Sequence, residues 1–445
     1  MRPTTTAWRR PRAAVGLALA AALTFGAAAC GSDSGDGAGD GKTLNVLLHG
    51  AQADDKAWSG LARDFEAANP GVKVNLTLAP NENFQKVRTA RLTAGGLDVT
   101  EGNSKGATRP KPEYVKNIPE TDWVRGLDAG LWTELKGDWL NNWAPGPRKS
   151  EQYKGKDYAV PTSISYVTGL YYNKDLLAKN GIALPKTWTE LVAAMDKLKA
   201  AGATPLVMGG AEKWPVGLLM ESTASVTIPD MAAFDEGLWT GKAAFTDPPA
   251  VEVLQKVQKL YSYAPKTFPG TNDVSATTAF AKGDVGFFPQ GSWAAPGIDN
   301  AKPSFQYGYF PLPASDDAAA NQKLRGKLEN NLAIPASSKN KELAMKFLEF
   351  YSQKENYQKW ATNFGATPVM AGITSTEFVN SLEPYVDQEG FTPTWGEVFH
   401  PNPLAGDALK VGFPYEQIAP MGKQTDMAAL AAANQKTWQA AIPKG

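Results

Sequence analysis

Cysteine and histidine are nearly absent from this chain: 445 residues contain one Cys and two His. A single thiol excludes an internal disulfide framework. Cys30, His49 and His400 serve poorly for a zinc cluster or a Cys-His nucleophile pair. Neither sign of charge predominates, with 45 Lys+Arg against 45 Asp+Glu, so the basic surface that nucleic acid requires is missing. There is no G-x-S-x-G, and no glycine cluster follows a strand in the dinucleotide pattern. No fixed-period repeat occurs, which disfavours solenoids and propellers. Acidic residues are many, but no spacing pairs two of them across a sugar bond as a glycosidase needs. No metal and no cofactor are expected.

Aromatics are plentiful, 13 Trp, 14 Tyr and 18 Phe: many must lie in the core, but the total leaves room for an aromatic-lined site. The length suggests two or three domains. Arg9, Arg10 and Arg12 precede a short apolar stretch of small residues, 13–29, which reads as an export signal and not a spanning helix. The "AAAC" ending at Cys30 resembles a bacterial lipobox, with Ala27 where leucine is more usual. That resemblance implies cleavage after residue 29 and acylation of Cys30, which anchors the chain to membrane lipid. Residues 31–41, "GSDSGDGAGDG", read as a flexible tether with a reach of roughly 20 Å. Removing residues 1–29 takes away four arginines and no acid, leaving a mildly acidic protein.

From residue 42 strands and helices alternate. Residues 43–50 read as a strand, and Trp58, Leu61, Ala62 and Phe65 fall at helical spacing within 55–69. "NPG" at 69–71 stops that helix, and 72–78 alternate as a second strand, so a parallel sheet is expected. Thr187 and Glu190 form a capping box ahead of a helix whose stripe is Leu191, Met195 and Leu198. In "AFAKGDVGFFPQGSW", 279–293, a helix stops at Gly283 and 285–288 form a buried strand. Pro289 should end the pairing, leaving Trp293 beyond a strand's carboxyl end, where open α/β sheets bind ligands. The tryptophans within 124–143 read as packing residues.

Several segments together resemble the family 1 extracellular solute-binding proteins, of the maltose-binding type that serve ABC sugar importers. They are "FEAANPGVKV" (65–74), "YKGKDYAVPTSISYVTGLYYNKDLLAKNGIALPKTWTEL" (153–191), "FAKGDVGFFPQGSW" (280–293) and "NNLAIPASSKNKELAMKFLEF" (330–350), in the family's order. The resemblance implies a two-lobed α/β fold of the type II periplasmic-binding-protein kind. Each lobe is a mainly parallel sheet flanked by helices, with the ligand cleft between them. It implies an N-lobe of 42–163 plus 311–336 and a C-lobe of 164–310 plus 337–445. The ligand implied is a mono- or oligosaccharide, passed to ABC permease subunits in the membrane. A monomer is expected. Residues 105–143 and 386–413 depart from the family pattern and put the pocket's edges, and so the ligand, in doubt.

A pyranose presents apolar C–H faces to flat aromatics and hydroxyls to polar side chains. The candidates therefore lie just past strand ends: Trp293, Trp214, Tyr166, Asn103, Gln52, Asn330 and Glu212, with His400 a weaker one. They include no arginine, which opposes a phosphate ester as ligand. Rival readings are a secreted glycosidase and a surface adhesin that needs no closing pocket.

Overall fold

The structure, a computed structural model, describes residues 41–443 except 51, 103–110, 116–117 and 388–391; the side chains of 52–55 and 81–82 are also outside the description. Cys30 and the tether lie outside the described residues.

The N-lobe begins with parallel strands Thr43–His49 and Lys73–Ala79, joined by the helix Gln52–Ala68. That helix buries Trp58, Leu61, Ala62 and Phe65, the stripe its spacing predicts. Val99–Thr100 extends the sheet in parallel, and Asn331–Ala333 and Ala159–Pro161 complete it in antiparallel pairs. In the C-lobe the order is Tyr307–Pro311, Gly169–Asn173, Val285–Pro289, Thr204–Leu206. Here Val285–Pro289 and Thr204–Leu206 are parallel, while Gly169–Asn173 runs against both its neighbours. Both sheets are thus mixed, for one topological reason. The strand by which the chain enters each lobe, Asn331–Ala333 or Gly169–Asn173, runs against the others. Pairing also reaches Pro289, opposite Leu170, one residue further than the missing N–H suggested.

Between the lobes lies a small sheet in which Ile164–Tyr166 and Arg325–Leu328 run antiparallel, with Thr392–Pro393 at its edge. These are the crossing strands. Because Ala159–Pro161 and Tyr307–Pro311 leave their sheets toward the other lobe, the strands parallel to them also end facing the junction. His49 therefore ends, and Glu101 and Gln290 follow, strands that stop at the interlobe boundary.

The chain crosses a third time, which the expected division of residues 337–445 into the C-lobe missed. Helices Lys341–Tyr351 and Lys354–Phe364 lay their apolar faces on Gln52–Ala68, with Phe65 5.1 Å from Phe347 and Trp58 4.9 Å from Trp360. Only afterwards does the tail join the C-lobe, where Trp395, Phe399, Phe413 and Trp438 are buried together. Conversely, Val115 and Ile118, expected within the N-lobe, pack into the C-lobe cluster, and the Tyr114 hydroxyl donates to Asp235 at 2.9 Å. Of the tryptophans within 124–143, Trp143 is buried and Trp132 and Trp139 are half-buried against apolar clusters, as their packing reading expects. The capping box forms with one change: Thr187 accepts from the Glu190 N–H, while Glu190 reaches the Lys186 N–H.

Candidate functional site

The Gly-Ser-Trp turn is held from three sides. Tyr171, fully buried in the "YYNKDLL" strand, donates its hydroxyl to the carbonyls of Gly291 (3.2 Å) and Ser292 (3.0 Å). Tyr309 donates to the carbonyls of Gln290 (2.8 Å) and Tyr166 (3.0 Å). Ser292 Oγ accepts from the Tyr166 N–H at 3.1 Å, tying the turn to the crossing strand. Two glycines make room for this. A Cβ on Gly169 would stand 2.3 Å from the Tyr309 ring, and one on Gly291 would stand 2.1 Å from the Trp293 indole. The tryptophan folds over Gly291 and stays half-buried.

Facing it is Trp214, also half-buried, its ring centroid 6.0 Å away at 48°. Trp214 opens the helix Trp214–Thr227 after a turn through Lys213, whose φ of 65° is left-handed, with Pro215 next. Behind the pair, Glu212 accepts from the Asp273 N–H at 3.1 Å, and Gln290 donates to Asp273 at 2.5 Å. Burial, and then the charge of Glu212, push the Asp273 carboxyl up to about 6.

The crossing strand brings Lys327 over Trp293, its Nζ 5.9 Å from the ring centroid. Lys327 pairs with Glu329 at 3.4 Å. Burial alone would lower the lysine's pKa, but Glu329, Glu221 and Glu397 outweigh it and hold it above the usual value. Burial likewise pushes Glu329 upward, and Lys327, the Ser165 hydroxyl and His49 reverse that. Next along, Asn330 Nδ2 lies 3.1 Å from His49 Nε2, while His49 Nδ1 is 2.8 Å from Glu101. The N-lobe edge closes with Arg88, which donates to the carbonyls of Glu101 (2.7 Å) and Gly102. Its buried Nε has no partner among the described residues. Polar contacts thus form three groups: Glu212, Asp273 and Gln290 in the C-lobe, Lys327 and Glu329 on the crossing segment, and Asn330, His49, Glu101 and Arg88 toward the N-lobe. A flat ring with hydroxyls at its edge suits this arrangement.

A sequence model of the bacterial extracellular solute-binding proteins matches residues 49–358. The chain belongs to that family. Among curated relatives, the diacetylchitobiose binding protein DasA of Streptomyces coelicolor is 32% identical over 360 residues, 77% of each chain. The multiple sugar-binding protein of Streptococcus mutans is 26% identical over 359 residues, covering 78% of this chain and 80% of its own length. Among solved structures, a chitin oligosaccharide binding protein superposes with a TM-score of 0.72 at 21% identity, over 91% of this chain and all of its own. RafE in complex with raffinose gives 0.68 at 21% identity, over 90% of this chain and all of its own. These structural likenesses establish the two-lobed fold.

In this solute-binding protein the expected residues fare unequally. Trp293 and Trp214 come together, Asn330 follows the crossing strand and meets His49, and Glu212 precedes Trp214 by two residues and accepts from the Asp273 N–H. Tyr166 is 3% exposed, its ring lying against Gly326 of the neighbouring crossing strand, while its N–H donates to Ser292 in the Trp293 turn. His400 is likewise held in the C-lobe, its Nδ1 2.6 Å from the fully buried Asp235. Asn103 and the side chain of Gln52 lie outside the described residues. Unforeseen were Lys327, Glu329, His49, Glu101, Gln290 and Asp273. Lys327 and Glu329 were findable, since alternate residues of a strand share a face and lead directly to Asn330. A hollow of about 500 Å³ lies elsewhere, between Gln52–Ala68 and the edge strand Lys73–Ala79, lined by Leu76 and Leu78. It holds none of these aromatics.

Proposed function

We propose that this protein captures a sugar, most naturally an oligosaccharide, between its lobes and delivers it to the membrane permease of an ABC importer. The observation that carries this reading is the indole pair, Trp214 and Trp293, set past C-lobe strands with Lys327 of the crossing strand over Trp293. The sugar-binding relatives support it. The protein binds and does not transform its ligand, needs no cofactor, and acts as a monomer outside the cytoplasm, tied to the cell membrane through acylated Cys30. Among the described residues no helix is long and apolar enough to cross a membrane. Closure of the lobes over the sugar gives the permease a shape to recognise.

A thermal-shift screen with mono- and oligosaccharides, with chromatography of the same samples, tests this. A ligand bound only by the folded state raises the melting temperature. The expected result is a saturable rise for one sugar class with the sugar recovered intact. Sugar consumption would make the protein a hydrolase, and no shift with any sugar would sink the receptor reading.

A further inference from the structure

The two indoles sit on separate loops, and one residue ties those loops together. Thr204–Leu206 and Val285–Pro289 are parallel neighbours, so the loops that follow them leave the sheet at the same end. The first loop leads to Trp214 and the second to Trp293. Asp273, the first residue of the helix Asp273–Ala281, hydrogen-bonds to both. Its main-chain N–H donates to Glu212, two residues before Trp214, at 3.1 Å. Its carboxylate accepts from Gln290 Nε2 at 2.5 Å. The other end of that amide, Oε1, accepts from the Gly291 N–H at 2.8 Å, inside the turn that presents Trp293. Gln290 is 1% exposed, so its amide has little water within reach if Asp273 withdraws. The main chain docks the Trp214 loop on the same segment. The Gly210 N–H donates to the carbonyls of Phe268 (3.0 Å) and Thr271 (2.9 Å), and the Ala211 N–H donates to Thr271 at 3.1 Å. A Cβ on Gly209 would stand 3.0 Å from the Asp273 Cα, so this glycine lets the loop close on Asp273.

Resting on the sugar-receptor reading, we propose that Asp273 is a positioning residue for the sugar: it fixes the separation and tilt of Trp214 and Trp293 without touching the ligand. The centroid distance of 6.0 Å and the 48° between the rings are then set by the clamp Glu212–Asp273–Gln290. Two half-buried rings on independent loops would each keep freedom that a sugar has to quench on binding. A clamp that holds them ready removes that cost. What the clamp requires at Asp273 is an acceptor oxygen and not a charge, since Gln290 brings a neutral amide.

The test separates indole geometry from sugar binding. Two close indoles add an exciton couplet to the far-ultraviolet circular dichroism. The parent spectrum minus that of Trp214→Phe isolates this pair, since among the described residues each indole is the other's ring partner. The same subtraction is made in Asp273→Ala and Asp273→Asn backgrounds without sugar. Calorimetry then measures affinity for the sugar that raises the parent's melting temperature. Asp273→Ala should lose about half of the couplet or more, and roughly fivefold or more in affinity. Asp273→Asn, which keeps an oxygen for Gln290, should restore both. If urea unfolding shows that Asp273→Ala does not fold, Glu212→Ala, which frees the Trp214 arm, should lose the couplet in its place, and keeping it overturns the proposal. A couplet unchanged in folded Asp273→Ala overturns the positioning role, and a fall in affinity there would mean that Asp273 touches the sugar itself. A couplet lost with affinity unchanged overturns the link between indole spacing and binding. Failure of Asp273→Asn to restore the couplet overturns the hydrogen bond to Gln290 as its cause. If no sugar binds the parent, the receptor reading falls and takes the tie to sugar with it, while the couplet still decides whether Asp273 sets the indole geometry.

Discussion

Replacing Trp293 by alanine removes one face of the indole pair and leaves the turn that carries it. The turn's anchors, Tyr171 and Tyr309, grip main-chain carbonyls of Gln290, Gly291 and Ser292, not the indole. A sugar ring on one indole face covers apolar surface on the order of 60 Å², about 1.5 kcal/mol at 25 cal/mol per Å². The stacking geometry adds about 1 kcal/mol. The sum, about 2.5 kcal/mol, is roughly a 70-fold loss in affinity, so a micromolar sugar would bind at tens of micromolar or weaker. Calorimetry measures the loss, and urea unfolding of the same variant confirms that it is folded. A folded Trp293→Ala protein that binds within twofold of the parent refutes the reasoning.

Three further outcomes are expected. Tyr171→Phe removes the hydroxyl that grips the turn and should cost about 1 kcal/mol in urea unfolding, while weakening sugar affinity at a site Tyr171 never touches. Gly169→Ala drives a methyl into the Tyr309 ring and should destabilise by about 1–3 kcal/mol, seen as a lower melting temperature. Glu151, buried and accepting from Asn331, is pushed up to about 8, chiefly by burial. Its folded-state pKa lies above the unfolded one, so the folded protein holds the proton longer. Stability therefore falls as pH rises from about 4.5 to about 8, by up to roughly 5 kcal/mol, and is level beyond that. Glu151→Gln should flatten this dependence in urea melts between pH 5 and 8; an unaltered slope removes Glu151 as its source.

Much of the fold was legible because local signals agreed. The stripe Trp58–Phe65, the cap at Thr187 and the stop at Gly283, with φ +96°, each have their own short-range cause. Trp293 was legible for the same reason: a buried strand, a proline and a glycine-serine turn leave a large indole at a strand tip. What stayed hidden depends on long-range return. Phe347 and Trp360 lie far along the chain from Phe65 and Trp58, and nothing local announces that their helices stay with the N-lobe. The burial of Tyr166 was not legible because a strand position says which face a ring takes, not what covers it, and Gly326 opposite leaves room for the ring. The pairing of His49 with Glu101 and the approach of Lys327 to Trp293 join separate segments and emerge only once the folded sheets bring those segments together.

The most direct measurement is a crystal structure of the protein bound to the sugar that raises its melting temperature. The account predicts a sugar ring in van der Waals contact with Trp293 and Trp214, its hydroxyls hydrogen-bonded to groups of both lobes. A sugar seated elsewhere, such as the hollow beside Leu76 and Leu78, with the two indoles left uncovered, would contradict it.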